Sequence, residues 1–416
     1  MRARFVQPLV VALVLALLLT ACGSGAATDA DTGASQSSDA RDEWLRSAEL
    51  GPYAGEQNWE EIEAAAREEG KVTVYSVSSR IFDLADGLEE KYGIELEAYD
   101  LSSAVQMERL KREQDAGQYV VDVIFNNETP LILGEFLPEG RVWNFVPSTV
   151  AEHLDSEEQE PMYTQRWTSR VLIYNSDTYR DGPPVDNLWD LTREEWRGKV
   201  QMPDPLTASV QGYALATILQ HPEEMAAAYE AEFGEPLTEF SEIVQEIAEE
   251  PTFEMLAGSE PNAAVEWLYR LLQNDPVFVG STSDIGDNVG KVGQDDPPLG
   301  ITTLSNLDDL VPGEIEWAPA TSVEPFFGVT FPTVLMIADQ APHPNAAKVL
   351  IRYMSEDGFE PWNVPGDYSA RDDVAARQAE EFGIDAFDDL DLLRMDSEFV
   401  YSTKAAFLEL YLELRD

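Results

Sequence analysis

Cysteine is nearly missing from this chain. Among 416 residues there is one, Cys22, which excludes any disulfide within the chain. Histidine is almost as scarce: His153, His221 and His343 lie too far apart in sequence to read as a metal cluster. Basic residues are few, 27 Lys and Arg against 79 Asp and Glu, for a net charge of −52. Nucleic-acid binding is excluded on that balance, because phosphates are met by clustered Lys and Arg. After the first 21 residues no run of about 18 apolar residues occurs, so nothing later in the chain reads as a membrane span. There is no His-Glu-x-x-His and no Gly-x-Ser-x-Gly. GDNVGKV, Gly286 to Val292, falls short of a phosphate loop. It has three residues between its glycines, and Val292 stands where Ser or Thr would meet magnesium.

The chain opens on Arg2 and Arg4, then an apolar stretch from Leu9 to Leu19, then Thr20, Ala21, Cys22 and Gly23. Basic start, short apolar run and small residues are the parts of an export signal. Leu19-Thr20-Ala21-Cys22 resembles the bacterial lipoprotein cleavage box, which implies cleavage before Cys22 and a lipid on its thiol. Residues 1–21 are then a signal peptide. Residues 22–42, rich in Gly, Ser, Ala and Asp, read as a flexible tether.

The acids fall along helix-like stretches such as NWEEIEAAAREEG (Asn58 to Gly70) and FSEIVQEIAEE (Phe240 to Glu250). A solvated acidic surface adapted to high salt accounts for this. At molar salt the screening length is about 3 Å and the self-repulsion of such a chain is damped. The competing reading is an acidic cation-binding protein. Paired carboxylates are too common here to point to acid–base catalysis.

KVTVYSVSS, IELEAYDLSS and VVDVIFNN read as strands, separated by helical stretches at Ile81 to Gly93 and Ala104 to Gln118. Strand–helix alternation with short connections predicts a parallel sheet with helices on its faces, and ligands bind beyond the carboxyl ends of such strands. The three ends carry Ser76, Ser78 and Ser79; Ser102 and Ser103; and Asn126 and Asn127. Arg166 to Tyr179 and Ile315 to Asp339 read as long extended segments. A helix is predicted from Asp204-Pro205, and Pro276 to Leu304 reads as strand, short helix, strand.

Six segments in order resemble extracytoplasmic solute-binding proteins of ABC importers, in the group that includes binders of ferric iron, phosphorylated sugars and phosphonates. They are KVTVYSVSS, RLKREQDAGQYVVDVIF, RVLIYNSD, NLWDLTREEWRGKVQMPDPLTAS, APHPNAAKVLIRYMSEDG and GDYSARDDV. The resemblance implies two α/β lobes, each a mostly parallel sheet flanked by helices, joined by two crossing strands with solute between them. Lobe 1 is expected over residues 43–175, lobe 2 over 176–315, and 316–416 as hinge return and completion of lobe 1. It further implies a monomeric, membrane-anchored binding protein outside the cytoplasm that serves an ABC permease. No enzymatic role, cofactor or resident metal is expected.

Within that frame Thr207 and Ser209 sit at a helix start, where free N–H groups favour an anion, although capping alone also explains them. Ser281 and Asp284 face the same crevice, with Tyr174 at the crossing; Trp317 and Phe326 fit the core equally well. Ferric members typically use two adjacent tyrosines, and this chain has no Tyr-Tyr. Glu128, Asp284 and Glu324 are pieces of a carboxylate site without that pair. The expected solute is therefore an oxyanion-bearing organic molecule such as a phosphosugar or phosphonate. Ferric iron, a polyamine, a sensory role and, more distantly, a lipid-anchored enzyme are the alternatives.

Overall fold

The alternation read in the sequence builds one continuous twelve-stranded sheet. The computed structural model describes residues 30–382 and 387–415. The strands are β1 (Lys71–Ser76), β2 (Glu95–Asp100), β3 (Val123–Asn126), β4 (Val142–Asn144), β5 (Tyr163–Asn175), β6 (Val200–Met202), β7 (Val277–Phe278), β8 (Leu299–Thr303), β9 (Trp317–Pro319), β10 (Gly328–Ala338), β11 (Asp367–Ser369) and β12 (Leu392–Arg394). The main path runs β2-β1-β3-β10-β5-β8-β6-β7, with β11 and β9 on β5 and with β4 and β12 on β10.

β1, β2 and β3 pair in parallel, as do β6, β7 and β8. Between these halves run the two longest strands, β5 and β10, antiparallel to each other along most of their lengths. The two expected crossing strands are these. β5 stops at Asn175 because its Oδ1 accepts the Thr178 N–H at 2.8 Å and turns the chain. The second extended segment breaks into β9 and β10.

Each half has its own core. One cluster packs Tyr75, Met107, Ile124, Phe136 and Met336. The other packs Leu172, Trp189, Leu215, Trp267, Phe331 and Phe407. Chain contacts divide the molecule into Met1–Trp44 and Leu45–Asp416, and the sheet lies wholly in the second unit. No helix among the described residues is long and apolar enough to cross a membrane.

Two segments depart from the expected division. Within 22–42 the chain is helical from Ala30, in a helix running to Ser47. At 18 residues it is long enough to offset helix nucleation, and Arg46 in its last turn complements the helix dipole. Cys22 and residues 1–21 lie outside the described residues. The second departure is the helix Ser397–Arg415. It buries Phe407, Leu410 and Tyr411 in the core of the second half, although 316–416 was assigned to lobe 1. Its N-terminal end touches the first half, where Thr129 and Ser397 hydroxyls meet at 2.9 Å. Apolar residues at three- and four-residue spacing give it a face that packs on any apolar surface, and sequence spacing does not say whose.

Candidate functional site

In parallel sheets a crevice opens beyond the carboxyl strand ends, and here β10 and β5 lie between the two parallel halves. In the first half most of the serines and asparagines are spent on one another. Ser76 is fully buried; its hydroxyl donates to the Ser78 carbonyl at 2.8 Å and accepts the Ser78 N–H at 3.0 Å. Ser78 Oγ accepts the indole N–H of buried Trp362 at 3.1 Å. Ser79 and Ser102 are exposed. The Ser103 hydroxyl donates to Asn127 Oδ1. Asn126 donates to Gln106 Oε1 at 2.9 Å and accepts the Glu128 N–H at 2.6 Å. These bonds tie the ends of β2 and β3 together and aim Glu128.

Glu128 is 3 % exposed and reaches across to the second half. Its carboxylate accepts the Ser209 hydroxyl at 2.7 Å and the Tyr213 hydroxyl. Burial and this carboxylate together push the Tyr213 phenol far above its ordinary range. A second link runs from Arg80, just after the β1 loop, to Asp308 after β8, at 3.1 Å.

In the second half the helix begins at Ser209, five residues beyond Asp204. Asp204 accepts the Leu206 N–H with its side chain at 3.0 Å, and the Thr207 and Ala208 N–H groups with its carbonyl. It thus closes a turn ahead of the helix, and the cap position falls to Ala208, with no side-chain cap. Thr207 is exposed, its hydroxyl on the Asp204 carbonyl at 3.3 Å. Ser281 caps the helix Thr282–Gly290 by accepting the Asp284 N–H, and the Asp284 carboxylate is exposed. Tyr174 packs in the second-half core with Phe326, and Trp317 is buried as well. Glu324 pairs through its backbone with Asp186 and Leu188, its side chain exposed. The structure therefore brings together Ser103, Asn126, Asn127 and Ser209 around Glu128, while Tyr174 belongs to the core.

Three arginines were not singled out in the sequence. Arg166, Thr168 and Arg170 share one face of β5, as alternate residues of a strand do. Arg166 lies 4.9 Å from the Phe125 ring centroid and 3.1 Å from Asp367, which also accepts the Thr168 hydroxyl at 2.6 Å. Arg80 reaches the same Asp367 at 3.6 Å. Arg170 is different. Its guanidinium donates to Thr303 Oγ at the end of β8 and lies 5.6 Å from the Phe331 ring centroid. Its Nε is shut from solvent with no hydrogen-bond partner, and no carboxylate among the described residues pairs with it. Desolvation, unrelieved by any anion, lowers its pKa to about 10. The signal was present in RWTSRVLIYN: two arginines four apart in a strand-like stretch, where alternate residues share a face.

No protein-family model matches the chain, and no curated protein sequence is similar to it. Solved structures are similar over most of the chain. Iron-bound HitA of Pseudomonas aeruginosa is 17 % identical, with 83 % of this chain and 99 % of that one covered and a TM-score of 0.59. The substrate-binding protein of an ABC transporter from Agrobacterium tumefaciens is 13 % identical over 83 % and 94 %, with a TM-score of 0.57. The spermidine/putrescine substrate-binding protein PotD of Streptococcus pneumoniae is 14 % identical over 83 % and 99 %, with a TM-score of 0.53. The fold is thus the α/β, two-lobed fold of periplasmic substrate-binding proteins, as the sequence resemblance implied.

Proposed function

We propose that this protein is the solute-binding component of an ABC importer, working outside the cytoplasm as a lipid-anchored monomer. It holds an oxyanion-bearing organic solute between the two halves of the sheet and hands it to a membrane permease. The observation that carries the choice of an anion is Arg170. In a chain with 79 acids and 27 bases, a guanidinium on a crossing strand has no carboxylate partner among the described residues. A desolvated cation without an anion is costly, and a solute carboxylate or phosphate relieves that cost. Arginine also matches such groups with two parallel N–H donors.

A ferric or polyamine reading draws on the acidity and on what HitA and PotD bind. The buried carboxylate that reaches from one half to the other, Glu128, is already satisfied by two hydroxyl donors from Ser209 and Tyr213. The anion reading needs no such contact to be broken. Binding, not catalysis, is the role this site supports.

Native mass spectrometry of freshly purified protein tests the reading. The expected result is a copurified organic anion that is missing from Arg170→Gln. A copurified polyamine or iron, or an anion retained unchanged in Arg170→Gln, would overturn it.

A further inference from the structure

A cavity of 260 Å³ lies between the start of the helix Ser209–Leu219 and the helix Ser397–Arg415. It is lined by Ala104 from the first half, Thr207 and Ser209 from the second, and Val400, Lys404 and Phe407 from the last helix. Positions 400, 404 and 407 share one face of that helix. Lys404 therefore stands in an apolar stripe between two residues of the buried core, Val400 and Phe407. Its ammonium lies 5.3 Å from the Tyr401 ring centroid, and no carboxylate among the described residues pairs with it. In a chain of 79 acids and 27 bases, a half-buried lysine that lines a cavity and has no carboxylate partner among the described residues is poised to meet an anion there.

We infer that this cavity makes the solute an amphiphilic organic anion. Lys404 takes its charged head. The walls of Val400 and Phe407 take an apolar body. Small ligand sites combine an apolar lining with a few convergent polar groups in this way. The last helix, which the sequence division assigned to lobe 1, becomes a specificity-determining wall that closes the crevice from both halves. A polyamine is disfavoured there by Lys404, and a bare inorganic anion leaves the apolar wall unused. This inference rests on the reading that solute lies between the halves.

Calorimetric titration of the full chain with inorganic phosphate, hexyl phosphate and hexylamine tests it. Hexyl phosphate is expected to bind roughly tenfold or more tightly than phosphate, because alkyl surface leaves water. Hexylamine is expected not to bind. Lys404→Gln should weaken hexyl phosphate about ten- to a hundredfold, and Lys404→Arg should restore most of it. Ala104→Trp fills the cavity from an exposed position and should erase the preference for the alkyl chain while phosphate binding persists. Melting temperatures near that of the parent verify that each variant folds. Equal affinity for the two phosphates, or a preference untouched by both Lys404→Gln and Ala104→Trp, overturns the inference. If Arg170→Gln abolishes binding while the Lys404 and Ala104 variants change nothing, the cavity assignment falls and the anion reading stands. If Arg170→Gln is also without effect, both fall.

Discussion

Arg170 and Ser78 show how differently two polar side chains of one sheet are placed. Arg170 is a cation with a desolvated Nε and no carboxylate partner among the described residues. Arg170 is half-buried, and replacing an unpaired, partly desolvated charge by an apolar side chain of similar length removes a desolvation cost. Arg170→Met is therefore expected to raise the melting temperature of the empty protein while abolishing solute binding; a lowered melting temperature would show that Thr303 and Phe331 already compensate the charge. Ser78 is the opposite case. Its hydroxyl is taken by Trp362, which is fully buried. Ser78→Ala leaves a buried indole N–H without an acceptor, a loss of about 1–3 kcal/mol. Denaturant unfolding should show that loss, whereas unchanged stability would return Ser78 to the list of free ligand donors. Serine at a strand end was legible in the sequence. Its partner, 284 residues away, was not.

Among the elements, those defined by local pattern stand where the sequence puts them. KVTVYS alternates and ends at a serine loop, and β1 is Lys71–Ser76. His343-Pro344-Asn345 precedes an apolar period, and the helix runs Pro344–Ser355 with proline in its first turn. The helix expected from Asp204 starts at Ser209 because Asp204 spends its acceptors on the intervening turn. The uncapped Ala208 gives an element-scale prediction. Ala208→Asp supplies a cap and should stabilise the fold by about 1 kcal/mol. The added negative charge should at the same time weaken anion binding by more than a neutral Ala208→Ser. Equal effects of the two on affinity would place the anion away from this helix start.

At the scale of the whole molecule, net charge dominates the behaviour. On the helix Trp59–Glu69 the buried residues are Ile62 and Ala66, while Glu60, Glu61 and Glu68 are exposed, the arrangement of a solvated acidic face. The melting temperature is expected to rise steeply from low to molar salt as self-repulsion is screened. A flat profile would count against the halophilic reading. Cys22→Ser should move the protein from the membrane fraction to the soluble one; a variant that stays with the membrane rules out the lipid anchor. Solute touching both halves should favour their approach, since a ligand shifts an equilibrium only by its differential affinity for the two states. Small-angle scattering with and without solute reads that change.

Composition and period are local properties, and from them came the alternating strands and helices, the two crossing segments, the acidic surface and the lone thiol. They also placed polar residues at the carboxyl ends of β1, β2 and β3. Which of those residues are free is a question of partners, and the partners are distant in sequence. Glu128 meets Ser209 and Tyr213 from 81 and 85 positions away, and Arg166 shares Asp367 with Arg80 across most of the chain. The isolation of Arg170 and the seating of the last helix on the second half likewise depend on what else arrives at the same place. A side chain's charge and apolarity are carried by its own atoms, but its desolvation and its hydrogen bonds are set by neighbours that only the folded chain assembles.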